Sequence, residues 1–126
     1  MNLKKFKTKK YPNSSSVLEL FELPKNFNLK RIFRLTAYRK CIRGNHAHKK
    51  CNQILQLLEG EVILNIIDRN NKKWNFKFNI KNQFIYIPPY HWLLIHMEKG
   101  SSLNVYADKF YDRSEYIENF QKFIKK

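Results

Sequence analysis

QILQLLEGEVILNIIDRNNKKWNFKFNI, residues 53–80, carries the pattern that decides the fold. Its first two segments, 53–60 and 61–68, are short and rich in Leu, Ile and Val, and they flank Glu59-Gly60, which reads as a turn between antiparallel strands. In WNFKFNI, Trp74, Phe76, Phe78 and Ile80 fall on one face and Asn75, Lys77 and Asn79 on the other. That two-residue alternation is the mark of a half-buried strand.

The same signal extends in both directions. VLELFEL (17–23) alternates until Pro24 stops it, and KRIFRLTAY (30–38) is a second run upstream. Downstream, FIYI (84–87) ends at Pro88-Pro89, and HWLLIHM (91–97) and SLNVYAD (102–108) are separated by Lys99-Gly100. About eight short strands spaced roughly 8–12 residues apart predict an all-β barrel or jelly roll. Residues 1–16 are polar and basic and read as a flexible arm or an edge strand ahead of a single domain over 17–126. The C-terminus changes period: Tyr116, Ile117, Phe120, Phe123 and Ile124 share one helical face, predicting a short helix over about 113–124. Asp112 and Glu115 have capping-box spacing at its start.

The 126 residues suit one domain with a real core, and hydrophobic residues at 43% with only 3 Gly and 4 Pro exclude a low-complexity chain. No apolar run approaches the roughly 18 residues of a membrane helix. The basic N-terminus is followed by YPNSSS rather than an apolar stretch, so no secretory leader is expected. Cys41 and Cys51 are too few for a disulfide framework and read as reduced thiols in a cytoplasm. The net charge of +15 suits an anionic ligand, but 19 of the 25 basic residues are Lys, dispersed among 14 Asn. Solvated surface or AT-rich coding bias accounts for that mixture without a nucleic-acid partner.

RGNHAHKK, residues 43–50, carries the chemistry. Residues i and i+2 of a strand share a face, so His46 and His48 project together with Ala47 turned away. A Gly and an HxH followed four residues later by Glu, and six residues after that by another Gly, is the first metal-binding motif of the cupin barrel. Here the frame is kept to Gly60, but Gln53 stands where the carboxylate would be. A neutral amide is a poor ligand. The third histidine of such a site falls at Leu93, with His91 and His96 out of frame. No bound metal and no cofactor are therefore expected. What remains is acid–base chemistry, for which imidazoles are poised near neutral pH, or a structural pair.

HxH with Gln in place of Glu inside RGxHAHK resembles the sugar-nucleotide 3,4-ketoisomerases of the cupin superfamily. KRIFRL before the motif, YIPPYHW after it, and ADKFYDRSEYIENFQKF at the end are similar to the family's pattern in the same order, from about residue 17 to 124. The resemblance implies a cupin-type jelly-roll barrel with a short C-terminal α-helix, a likeness that carries with it a homodimer acting on dTDP-4-keto-6-deoxyglucose. The ketone moves from carbon 4 to carbon 3 for deoxy-amino-sugar and surface-glycan synthesis, without metal or nicotinamide. A proton beside a carbonyl is acidic enough for a weak base to remove, and its return to the neighbouring carbon completes the isomerisation through an enediol. His46 and His48 would share the base and acid roles. Arg43 is suited to enediolate or phosphate charge, Gln53 to a sugar hydroxyl, Arg31 and Arg34 to a diphosphate, and Tyr90 and Trp92 to the pocket wall. The family's N-terminal Arg is absent from PNSSSVLEL, and Leu93 replaces its usual His. Those departures keep open a barrel that binds a nucleotide sugar without turning it over, or an isomerase or epimerase of another nucleotide-linked keto sugar.

Overall fold

The computed structural model describes residues 2–124. Its centre is a pair of five-stranded antiparallel sheets that face each other. The first contains β1 (Lys4–Phe6), β9 (Phe84–Ile87), β6 (Gln53–Glu59), β11 (Ser102–Ala107) and β4 (Arg31–Thr36), in that order across the sheet. The second runs β12 (Tyr116–Ile117), β5 (Cys41–His48), β10 (His91–Met97), β7 (Val62–Asp68), β8 (Lys73–Phe78). Two further strands, β2 (Lys9–Pro12) and β3 (Val17–Leu20), pair only with each other. Leu55, Leu57, Leu64, Ile66, Ile85 and Leu103, all fully or almost fully buried, meet between the sheets. This is the all-β jelly roll that the alternating pattern predicts.

Glu59-Gly60 is not the hairpin turn expected from the sequence. It connects β6 in one sheet to β7 in the other, and Lys99-Gly100 connects β10 to β11 in the same way. The two corners pack on each other so closely that a Cβ on Gly60 (φ +77°) would lie 2.9 Å from Ser101 Cα. A hairpin instead joins β7 to β8 through Arg69–Lys72, where the Asp68 carboxylate accepts the Asn70 and Lys72 amides. The expected inward face of WNFKFNI holds for Trp74, Phe76 and Phe78, whereas Ile80 lies past the strand end and is exposed.

The helix expected over 113–124 is replaced for most of its length. Arg113–Glu115 form one 3₁₀ turn, Tyr116–Ile117 pair with the edge of β5, and only α1 (Phe120–Ile124) is α-helical. Asp112 caps the 3₁₀ turn by accepting the Ser114 amide, as the spacing suggested, but Glu115 does not complete a capping box. Its carboxylate instead accepts the backbone amides of Lys49, Lys50 and Cys51, and this anchor drags the segment onto the sheet edge. The helix restarts at Asn119, whose side chain accepts the Lys122 amide. The apolar face that suggested a helix is nonetheless used: Ile117, Phe120, Phe123 and Ile124 pack on Ala47 and Trp92, covering the outside of the second sheet.

Candidate active site

The site is built on β5, and a bulge sets its aim. In the ladder with β10, Leu94 pairs with Gly44 and Leu93 with His46, leaving Asn45 as an extra residue. Gly44 (φ +84°) and Asn45 (φ +64°) both take left-handed backbone, which a glycine tolerates freely and an asparagine better than most residues. A Cβ on Gly44 would sit 2.7 Å from the Leu93 carbonyl oxygen. One inserted residue flips the side-chain parity along a strand. Arg43 and His46, an odd and an even position, consequently line the same cavity, together with Gly44. Beyond the bulge, normal alternation places His46 and His48 on one side with Ala47 buried on the other.

The cavity has a volume of about 240 Å³ and lies between β4, β5, β6, β10 and β11. That is below the roughly 300–1,000 Å³ of sites for whole drug-sized ligands and suits a single ring with the rest of the molecule outside. One part of its wall is apolar, formed by Phe33, Leu35, Leu55, Leu93, Ile95 and Val105. The polar groups are Arg43, His46, Gln53 and Tyr116. Arg43 is exposed, and Gln53 is buried with no hydrogen bond from its amide to any described residue, so both remain open to a ligand.

Hydrogen bonding fixes both imidazoles in one tautomer. Among the described residues the one partner of His46 Nδ1 is the Gly44 carbonyl oxygen at 3.1 Å, a pure acceptor, so Nδ1 carries the proton and Nε2 a lone pair. His48 Nδ1 faces Glu115 Oε1, and its Nε2, fully buried, has no partner among the described residues. Burial, and for His46 also the neighbouring His48, holds both rings below the usual histidine value, although Glu115 opposes the shift at His48. Burial would raise the Glu115 carboxyl, but the His48 bond and the Lys50 and Cys51 amides outweigh it and hold the group below the usual glutamate value. At neutral pH the site therefore contains two neutral imidazoles and a carboxylate. His48, Cys51 and Glu115 place their donor atoms within 4.8 Å of one another. Glu115 already serves three amides and His48, and the Cys51 thiol donates to the Asn52 carbonyl, so the trio forms a hydrogen-bonded network more than an open ligand set.

Two of these residues, Glu115 and Tyr116, escaped the sequence reading. Tyr116 lies against both imidazoles, with ring centroids 4.9 Å from His46 and 4.3 Å from His48, and its hydroxyl accepts a 3.1 Å hydrogen bond from Arg31 Nη2. Arg31 is thus at the site, braced between the rings of Phe33 and Tyr111. Five expected residues are not at the cavity wall: His48 and Arg31 stand behind it in contact with Tyr116, and the other three lie away from it. Arg34 alternates outward on β4 and bonds Asn104. Trp92, of opposite parity to Leu93, is buried against Phe120 and Phe123 on the outer face. Tyr90 lies outside too, its ring beneath Arg69, while its amide donates to the His48 carbonyl at 2.7 Å and pins the end of β5. His91 and His96 bond Pro89 and Asn65 and do not line the cavity.

Comparison with known proteins bears on the family and the fold. The family model described as "FdtA: WxcM-like, C-terminal" matches residues 1–126. TDP-4-oxo-6-deoxy-alpha-D-glucose-3,4-oxoisomerase of Aneurinibacillus thermoaerophilus is 31% identical over 125 residues, covering 94% of this chain and 89% of the relative. Among solved structures, the Campylobacter jejuni TDP-fucose-3,4-ketoisomerase WlaRA is 28% identical with a TM-score of 0.84, covering 98% of this chain and 94% of that one. The sugar 3,4-ketoisomerase QdtA of Thermoanaerobacterium thermosaccharolyticum, solved with TDP, is 28% identical with a TM-score of 0.85 over 98% and 92% of the two chains. This chain belongs to the FdtA, WxcM-like C-terminal family, which includes sugar-nucleotide 3,4-ketoisomerases.

Proposed function

We propose that this protein is a sugar-nucleotide 3,4-ketoisomerase that converts dTDP-4-keto-6-deoxyglucose to a dTDP-3-keto-6-deoxyhexose. The observation that carries the reading is His46, a neutral imidazole with its Nε2 lone pair uncommitted, in the wall of a ring-sized cavity. His46 removes the proton from carbon 3, the pair of that C–H bond becomes the C3=C4 bond of the enediol, and the same imidazole returns the proton at carbon 4. A single base suits transfer between adjacent carbons on one face of the ring. His48, bonded to Glu115, lies behind His46 with ring centroids 5.2 Å apart and backs the base from outside the cavity wall. Arg43 and Gln53 are placed for substrate oxygens. A relative, QdtA, was solved as a histidine-to-asparagine variant in complex with TDP-4-keto-6-deoxyglucose, which supports this choice of sugar.

The reaction needs no metal or nicotinamide and would feed amino-sugar synthesis for surface glycans. Both cysteines are free, which suits a cytoplasmic enzyme. Val17, Leu18 and Phe21 of the N-terminal segment and Ile32 on the unpaired edge strand β4 are exposed, and we assign these surfaces to a homodimer. Light scattering at a dimer mass, reduced to monomer by Leu18→Glu, is the expected result. For the reaction itself, proton NMR of the purified protein with dTDP-4-keto-6-deoxyglucose should show the 3-keto sugar accumulating. No change at stoichiometric protein would overturn this substrate.

A further inference from the structure

Neither histidine has an N–H left to donate to the substrate. Nδ1 of each is committed to an oxygen that can only accept, Gly44 O for His46 and the Glu115 carboxylate for His48. Ketone isomerisation nevertheless requires a proton on the carbonyl oxygen as the carbon proton leaves. Of the polar residues at the cavity wall, Arg43 does not release a proton at working pH and Gln53 has none to release. Tyr116 is the remaining one. Its hydroxyl oxygen accepts from Arg31, and its own hydrogen has no acceptor among the described residues, so that hydrogen is free to be donated.

We infer that Tyr116 is the catalytic residue that carries protons between the two substrate oxygens, with Arg31 as the cation that holds its phenolate. The inference rests on the isomerase reading and assigns the step which that reading leaves without a residue. As His46 Nε2 takes the proton from carbon 3, the C–H pair becomes the C3=C4 bond and the carbonyl π pair moves to oxygen 4. Tyr116 protonates that oxygen and becomes a phenolate beside the Arg31 guanidinium. In the second half the phenolate takes the proton from oxygen 3, the C3=O bond forms, and the C3=C4 pair takes the proton from the His46 imidazolium at carbon 4. Tyr116 and His46 both return to their starting forms, and no other reactant is consumed. Vicinal oxygens on one ring lie close enough for one phenol to serve both. Tyr116 is also packed for this role, against both imidazoles and 5.8 Å from the Tyr111 ring.

The test is Tyr116→Phe, which removes one oxygen and keeps the ring packing. Wild type and variant are compared for turnover of dTDP-4-keto-6-deoxyglucose, for affinity for dTDP, and for thermal melting. Expected is a fall in kcat of about 10²–10⁴-fold, the usual worth of a positioned proton donor, with KM and dTDP affinity within about threefold of wild type. In heavy water the variant should also incorporate more deuterium at carbon 3 of recovered substrate for each product molecule formed, since an enediolate that cannot exchange its oxygen proton reverts. A kcat within threefold of wild type, or a loss matched by lost dTDP affinity, overturns the role of Tyr116. A wild type that does not turn over this sugar overturns the isomerase reading and this inference with it.

Discussion

Glu115→Gln isolates what the carboxylate contributes. Glu115 Oε2 accepts three backbone amides, from Lys49, Lys50 and Cys51 at 3.1, 3.1 and 3.3 Å, while Oε1 faces His48 Nδ1. Glutamine fits the same space and keeps one acceptor oxygen. If that oxygen stays with the three amides, the new NH₂ confronts the His48 N–H, donor against donor. His48 escapes by moving its proton to Nε2. Converting these bonds from charge-assisted to neutral costs about 1 kcal/mol at each strong contact, or about 2–4 kcal/mol together. At about 4 °C per kcal/mol for a domain of this size, melting should fall by about 8–16 °C. A wrong tautomer in a catalytic dyad costs up to about 10⁴ in kcat, and a loss of at least about tenfold is expected here. Nitrogen-15 NMR of the histidine rings reads the tautomer directly, beside melting and turnover. A variant whose His48 keeps its proton on Nδ1, or whose melting moves by less than about 2 °C, refutes the reasoning.

Four further outcomes follow from the same structure. Gly44→Ala places a methyl 2.7 Å from the Leu93 carbonyl oxygen in left-handed backbone, so stability should drop by about 2 kcal/mol or more and activity should fall as the bulge that aims His46 shifts; urea unfolding and turnover read both. The acid limb of kcat/KM should lie below pH 6.5, because the base must be neutral and burial holds His46 under that value; a limb above 6.5 contradicts the assignment. The sign for stability agrees. With His46, His48 and Glu115 all held low, the unfolded chain binds protons first, so stability is retained above about pH 6.5 and declines as pH falls through the histidine and then the carboxyl range. Phe123→Ala, at a buried ring of α1 that packs on Trp92, should cost about 3–5 kcal/mol in urea-monitored stability.

Strands such as β4, β7 and β8 were legible because one face is more deeply buried than the other, and period-two alternation records that directly. The inter-sheet corners were not, because Glu59-Gly60 has the same local chemistry whether the next strand folds back beside β6 or crosses to the other sheet. Trp92 was misplaced for a related reason: alternation shows that Trp92 and Leu93 face opposite sides, but both sides are buried once α1 covers the outer one. The histidine pair was readable from its i, i+2 spacing, and Arg43 joins it only through a bulge whose signal, Gly44-Asn45, lies in the motif itself. Glu115 and Tyr116 sit 67 residues and more in sequence from the histidines they touch. Their spacing imitated a capped helix, and only the strand pairing of residues 116–117 with β5 shows where they go.

The central claim is that one imidazole moves one proton between adjacent carbons inside this cavity. A single-turnover reaction in heavy water, with dTDP-4-keto-6-deoxyglucose and wild-type or His46→Asn protein, tests it most directly by locating hydrogen at carbon 4 of the product. The account predicts a 3-keto product whose carbon 4 carries the transferred proton or one deuteron in its place, on one face only, and no product from His46→Asn that still binds dTDP. Product formed at an undiminished rate by His46→Asn would contradict it.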